Sequence, residues 1–432
     1  MASIPRSQSV RMSYGESKMS GSGTGTTTGT TGGNTGEQPT IQRKGRGKAP
    51  IIAVGAVIVV VLIVALAGWQ AGWFKAAASN PCNGVSPGKL SGQGSTLVQP
   101  LMNYWASTYW NGAVVSYGGG GSSQGIQAIT SKIADFGASD APLDLAQRQA
   151  AGGGVAANNG LLTIPESAGG VVPIYNVAGV GQLNFNGSVL AEIFNGNITN
   201  WNNTPLQTLN PKTDLPNVTI EPVHRTGGSG TTFIFTSFLS LESKYWNKTY
   251  GKNLTWPSTA VAGIGASGNG GVATTVGTTS NSIGYVDLNY ALNSASGVGI
   301  GAVQNPKGNF IRATVQNTVS AMADSTITLP TGLGDWYNLS LLNAPGTNDY
   351  PITSLTYTLV WQNLSAYSTY TTSQAENLVD FLTWMVTVGQ NDSALLYFDP
   401  LPGYIVTHDI AEINSMTFGG KSIQVCIPAS TA

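Results

Sequence analysis

The run Ala113-Val114-Val115-Ser116-Tyr117, followed by Gly118 to Gly121 and then Ser122-Ser123, constrains this chain most. A β-branched segment reads as a strand, and Ile126 and Ile129, three residues apart, read as one face of a helix. Strand, Gly-rich loop and helix in that order belong to an α/β fold, in which ligands sit beyond the carboxyl ends of the strands. Two further stretches repeat the pattern. Gly92-Gln93-Gly94-Ser95-Thr96-Leu97 precedes Leu97, Leu101, Tyr104 and Thr108 at helical spacing. His224-Arg225-Thr226-Gly227-Gly228-Ser229-Gly230-Thr231-Thr232 precedes Phe233, Phe235, Phe238 and Leu239. A helix start leaves backbone N–H groups without partners, and glycine lets a ligand approach them, so phosphate or carboxylate suits such a spot. With 56 glycines among 432 residues, any one stretch reads equally well as a plain loop. Three of them could converge on a single anion, with Arg225 as the cation.

The chain is long enough for two sizeable domains. Residues 1–50 are rich in Ser, Thr and Gly and are expected to form a disordered tail. Ile51 to Trp69 carry no charge and suffice to cross a ~30 Å hydrocarbon core, so a transmembrane helix is expected over 51–70. Arg43, Lys44, Arg46 and Lys48 precede it, which keeps the N-terminus cytoplasmic and the bulk outside the cell membrane. A cleaved signal peptide ending near Ala76-Ala77-Ala78 is the competing reading, disfavoured by the length of the apolar run. Residues 71–89, with Pro81 and Pro87, read as a stalk. Beyond the tail acidic residues outnumber basic ones, which argues against nucleic acid as a partner.

Only two cysteines occur, Cys82 and Cys426, and an oxidising exterior would favour a disulfide joining the ends of the outer domain. With two histidines, His224 and His408, far apart, no metal site is expected. Nine Asn-x-Ser/Thr sequons, at Asn186, Asn197, Asn202, Asn217, Asn247, Asn253, Asn338, Asn363 and Asn391, fit a glycosylated surface protein, although an Asn- and Thr-rich chain also makes sequons by chance. Charged residues are only 9%, against ~25% in ordinary soluble proteins, which suggests a hot or acidic exterior and a stability profile flat into acid.

Further elements follow the same alternation. A strand is expected before the polar turn Ser139-Asp140-Ala141-Pro142, and Asp140 taken alone reads as the cap of a helix over Leu143 to Ala150. Gly169 to Tyr175 and Ser282 to Asp287 read as strands, and Tyr350 to Thr353 as an extended return segment. Asn195 to Trp201 follows a helix-like segment, and Asn377 to Val388 reads as a closing helix.

Eight segments, in this order, resemble the phosphate-binding subunit (PstS type) of the high-affinity phosphate ABC transporter: GQGSTL (92–97), GGSSQGI (120–126), DFGASDAPL (135–143), GGVV (169–172), IFNGNITNW (193–201), RTGGSGTTFIFTSFL (225–239), SIGYVDLNYA (282–291) and YPITSLTY (350–357). The resemblance implies an α/β, two-lobe, periplasmic-binding-protein-like type II fold with two crossover segments. Lobe I would span 90–165 and 349–426, and lobe II 166–348. It implies a phosphate site formed by Thr96, Leu97, Ser122, Asp140, Arg225, Ser229, Gly230 and Thr231, no cofactor, and ABC permease subunits as partners. The membrane-anchored form is read as archaeal. Leu97 stands where the family often has Phe, and Gly227 where an Asp often partners the Arg. A phosphatase-like hydrolase would need a nucleophile, base or metal set, and none is evident. A structural or sensing surface protein that keeps the fold is the other alternative.

Overall fold

The computed structural model describes residues 88–423, apart from 110–113, 152–159, 247–250, 253–255, 257–262 and 294–296. The expected tail, the membrane helix at 51–70, almost all of the stalk, both cysteines and the sequons at Asn247 and Asn253 lie outside the described residues. Among the described residues, no helix is long and apolar enough to cross a membrane.

Strand and helix alternate as expected: β1 (Lys89–Gly94), α1 (Gln99–Thr108), β2 (Val114–Gly119), α2 (Ser122–Thr130), β3 (Phe136–Ser139), α3 (Leu145–Ala150) and the long β4 (Leu161–Asn176). There follow α4 (Gly187–Phe194), β5 (Glu221–Arg225), α5 (Gly230–Glu242), β6 (Ile264–Ala266), α6 (Gly268–Thr278), β7 (Ser282–Asp287), α7 (Val315–Asp324), β8 (Thr353–Trp361), α8 (Thr372–Val386) and α9 (Gly403–Asn414). The principal strands form one sheet in the order β2-β1-β3-β8-β4-β7-β5-β6. β1 pairs in parallel with β2 and β3, and β5 in parallel with β6 and β7, the pattern that helical crossovers between strands produce.

β4 and β8 run antiparallel through the middle of this sheet. Leu161 to Gly170 of β4 pair with β8, whereas Val171 to Asn176 pair with β7, so β4 passes from one set of parallel strands to the other. Its side chains are buried almost throughout, as a strand covered on both faces requires. The β4–β8 ladder carries one irregularity. Thr356 pairs with Ser167 and Tyr357 with Pro165, so Glu166 is the extra residue of a bulge, beside a proline that has no N–H to offer the ladder.

Aromatic side chains fill both ends. Phe136 meets Phe381 of α8 at 5.5 Å between centroids, and Tyr285 of β7 stacks on Phe235 of α5 at 4.4 Å. Several element boundaries differ from expectation. α1, with Pro100 in its first turn, buries Leu101, Met102 and Trp105 while Tyr104 is half-buried and Thr108 exposed, because the large apolar Met102 and Trp105 centre the buried face between them and leave Tyr104 and Thr108 at its edge. α8 begins at Thr372, five residues earlier than Asn377, since Thr371 and Gln374 form a capping box. α3 begins at Leu145, and its cap is Asp144, whose carboxylate accepts from Gln147 N at 2.8 Å while Asp144 N donates to Gln147 Oε1. Asp140 is therefore not a helix cap.

Candidate functional site

The ends of the parallel strands carry the Gly/Ser loops, and these meet across the middle of the sheet. Ser123 N donates to Gly228 O at 3.2 Å, and Gly230 N donates to Ser122 Oγ at 2.9 Å. Gly230 is required here by closeness: a Cβ on it would stand 2.5 Å from Ser122 Oγ and 2.6 Å from Asp140 Cβ. Gly121, with φ +103°, holds a left-handed conformation beside the Arg225 guanidinium, where a side chain would be strained. The starts of α1, α2 and α6 have no side-chain cap; Ser123 N of α2 and Asn269 N of α6 instead bond to Gly228 O and Thr96 Oγ1 of the other Gly/Ser loops, which brings the positive ends of these helices to the same place.

Each of the eight residues expected in the site lies in this region, and their roles differ. Ser122 Oγ accepts from both Gly230 N and Asp140 N. Thr96 Oγ1 accepts from Asn269 N at 3.2 Å, and Asn269 Nδ2 reaches Thr231 Oγ1 at 3.1 Å. Ser229 caps α5, its Oγ accepting from Thr232 N. The Leu97 side chain lies in the core, and its N–H donates to Ser95 Oγ, which in turn donates to Asp140 Oδ1. Leu97 thus connects to the site through its backbone, and a Phe-for-Leu difference there leaves the polar contact intact.

Asp140 and Arg225 supply the charges. Asp140 is 1% exposed and accepts from Ser95 Oγ, from Thr356 Oγ1 at 3.1 Å and from Thr231 Oγ1 at 3.5 Å. Burial raises its pKa to about 6 against the pull of these hydroxyls and of Arg225. Arg225 is 4% exposed, makes no ion pair among the described residues, and its Nε has no hydrogen-bond partner. Burial lowers its pKa, while the fields of Tyr285, Asp140, Tyr290 and Asp287 hold the charge. Asp287, buried at the end of β7, lies near Arg225, but burial raises its own pKa well above the ordinary carboxylate range, so at neutral pH it does not replace the charge that Gly227 lacks. Tyr285 positions the backbone, its hydroxyl lying 3.3 Å from Arg225 N and 2.7 Å from Thr232 Oγ1.

Sequence reasoning missed Ser95, Asn269, Tyr285, Asp287, Thr356 and Glu166. Asn269 had a signal: Ser267-Gly268-Asn269-Gly270-Gly271 is a fourth Gly/Ser-led helix start. Ser95 lies inside the GQGSTL stretch. Glu166 had none, because a bulge directs its side chain.

Buried carboxyls also set a pH dependence. The Asp140 pKa is raised to about 6 and that of Glu166 to about 8, both chiefly by burial, against about 4 in an unfolded chain. A carboxyl whose pKa is higher when folded adds stability below its unfolded pKa and loses it as pH rises through the folded value. The oxyanion-free protein is therefore expected to gain stability from about pH 8.5 down to about pH 4, rather than to have a flat profile. Thermal melts across that interval check this; a Tm that falls toward acid would show that these carboxyls are ionised in the fold.

This sheet order and this convergence of helix starts define a periplasmic-binding-protein-like α/β protein, and the PBP superfamily domain matches residues 75–388. The phosphate-binding protein PstS of Xylella fastidiosa is 34% identical over 74% of this chain and 83% of its own length. That of Methanocaldococcus jannaschii is 31% identical over 87% of this chain and 96% of its own. The chain belongs to the PstS family of phosphate-binding proteins. A solved phosphate-binding protein of Stenotrophomonas maltophilia shares the fold, with TM-score 0.57 at 19% identity over 75% of this chain and 93% of that one.

Proposed function

We propose that this protein binds inorganic phosphate outside the cell and delivers it to the permease of an ABC importer, as a binding protein and not an enzyme. The observation that carries the reading is Arg225: a buried guanidinium without an ion pair among the described residues, beside Gly121 at the start of α2 and within the field of one buried carboxylate, Asp140. A buried cation left unpaired is costly, so the site is built for an anion that supplies the missing partner. Asp140 among the donors selects an anion that carries its own proton. Thr96, Leu97, Ser122, Asp140, Arg225, Ser229, Gly230 and Thr231 form the phosphate site in this reading, Leu97 through its backbone and Ser229 through the helix start that it caps, with Ser95 and Asn269 in support. Titration calorimetry of the full chain with orthophosphate, and with sulfate as competitor, tests it. Tight phosphate binding without turnover is expected; no heat with phosphate would overturn the reading.

The two halves of the sheet are read as the lobes at 90–165 plus 349–426 and at 166–348, with β4 and β8 as the two crossovers of a type II fold. The change of partner along β4 between Gly170 and Val171 supports a hinge there. The helix at 51–70 is read as a single-pass anchor holding this domain outside the membrane, and glycans are proposed for the exposed sequons Asn197, Asn202, Asn217, Asn338 and Asn391. Cys82 and Cys426 are expected to be joined, closing a loop worth roughly 5 kcal/mol in the chain-entropy model. Mass spectrometry of protein isolated without reductant checks this, and two alkylatable thiols would count against it.

A further inference from the structure

Glu166 is fully buried and is the extra residue of the β4 bulge. The bulge turns its side chain to the face of β8 that carries Thr356 and Thr358, two residues apart and hence on one side of the strand. Thr358 Oγ1 donates to Glu166 Oε2. Thr356 Oγ1 lies 3.0 Å from Glu166 Oε1 and 3.1 Å from Asp140 Oδ1. A hydroxyl has one proton, so Thr356 can donate to only one of these carboxyls. The other must be protonated and donate to the Thr356 oxygen, or a lone pair faces an anionic oxygen in a buried site. The chain Asp140–Thr356–Glu166 therefore needs one carboxyl proton.

Its place follows from the surroundings. Asp140 has three hydroxyl donors, Ser95, Thr356 and Thr231, and the field of Arg225. Among the described residues Glu166 has only the two β8 threonines as side-chain partners and no cation: Gln390 Nε2 donates to its backbone carbonyl, and Met385 Sδ lies beside Thr358. From β2, Tyr117 faces both carboxyls with its hydroxyl donated to Ser95 O; from β7, Asp287 is itself buried, its pKa raised well above the ordinary carboxylate range, so at neutral pH it adds no charge that would draw the proton to Asp140. These fields and the burial favour the proton on Glu166, whose pKa is pushed up further than that of Asp140.

We propose that Glu166 is a positioning residue for anion selection: by holding the one proton of this chain, it commits the Thr356 hydroxyl to Asp140 and keeps Asp140 an ionised acceptor for a protonated oxyanion. The proposal rests on the phosphate reading above. When Glu166 loses its proton to solvent in alkali, two carboxylates compete for the one Thr356 hydroxyl and the site carries a second buried negative charge, which repels the oxyanion and loosens the hold on Asp140.

The test is the dissociation constant of the full chain for orthophosphate at about pH 7 and about pH 9, for wild type and for Glu166→Gln, whose amide N–H replaces the carboxyl proton at every pH. Wild type is expected to weaken at least ~10-fold across the interval, and Glu166→Gln less than ~3-fold. A wild type that binds phosphate without alkaline weakening, or a Glu166→Gln that weakens as wild type does, overturns this inference and leaves the phosphate reading standing. No binding by wild type at either pH overturns both. If Glu166→Gln does not fold, Thr356→Val carries the test: removing the bridging hydroxyl should collapse the same ratio, and its persistence overturns the proposal.

Discussion

Replacing Arg225 by alanine is expected to weaken phosphate binding by roughly two to four orders of magnitude, since hydrogen bonds to charged groups contribute about 1.5–3 kcal/mol each and a guanidinium offers two or more of them. The loss should be large because nothing nearby can substitute. Among the described residues the other buried cation, Lys252, is turned away, its Nζ donating to Gln147 Oε1 at 2.8 Å and to Pro142 O. Arg225→Lys should recover part of the affinity through its charge while losing the planar fork. Stability should move the other way. The guanidinium is buried with an unpartnered Nε, so Arg225→Ala relieves a desolvation cost, and the ligand-free variant should melt no lower than wild type. Calorimetric titration and thermal melts on the same preparations separate the two effects. A dissociation constant within threefold of wild type would remove Arg225 from the site.

Much of this was legible because it is local. A β-branched run, glycines and an apolar pair at helical spacing specify a strand, a loop and a helix without reference to distant residues, so β2 and α2 fall where the pattern puts them. Asp140 shows where local reading stops. Both Asp140 and Asp144 precede the same helix, and Gln147, three residues after Asp144, is the capping-box signal that distinguishes them. Asn269 was hidden because the strand before it, β6, has only three residues and gives little periodicity. Glu166 could not be read at all. Within Ile164-Pro165-Glu166-Ser167 a charged residue beside a proline suggests a turn. Its burial depends on the register of β4 against threonines 190 and 192 positions away. Strand register over such separations is set by the assembled sheet.

Asp140→Asn is expected to remove most of the preference for phosphate over sulfate. In the wild-type site the carboxylate accepts from Ser95, Thr356 and Thr231 and, when ionised, has no proton to give. Phosphate keeps at least one proton through neutral and mildly acidic conditions, whereas sulfate has none and would present lone pairs and like charge to Asp140 where water cannot screen them. Leaving a buried polar group unsatisfied in this way discriminates by up to ~10⁴-fold, far more than size can achieve between two nearly identical tetrahedra. Asparagine can keep its oxygen toward Ser95 and Thr356 and turn its amide, a donor, toward the anion. Sulfate affinity should therefore rise by orders of magnitude in the variant, while phosphate loses an acceptor and weakens. The wild-type protein should show the same change with pH. The Asp140 pKa is raised to about 6, so below that value the side chain becomes a donor and sulfate should begin to compete, whereas in Asp140→Asn sulfate affinity should not change across that step. Competition titrations at about pH 5 and about pH 7.5 give all four numbers. Equal discrimination in wild type and variant at both pH values would mean that Asp140 only ties β3 to β8 and that selectivity arises elsewhere.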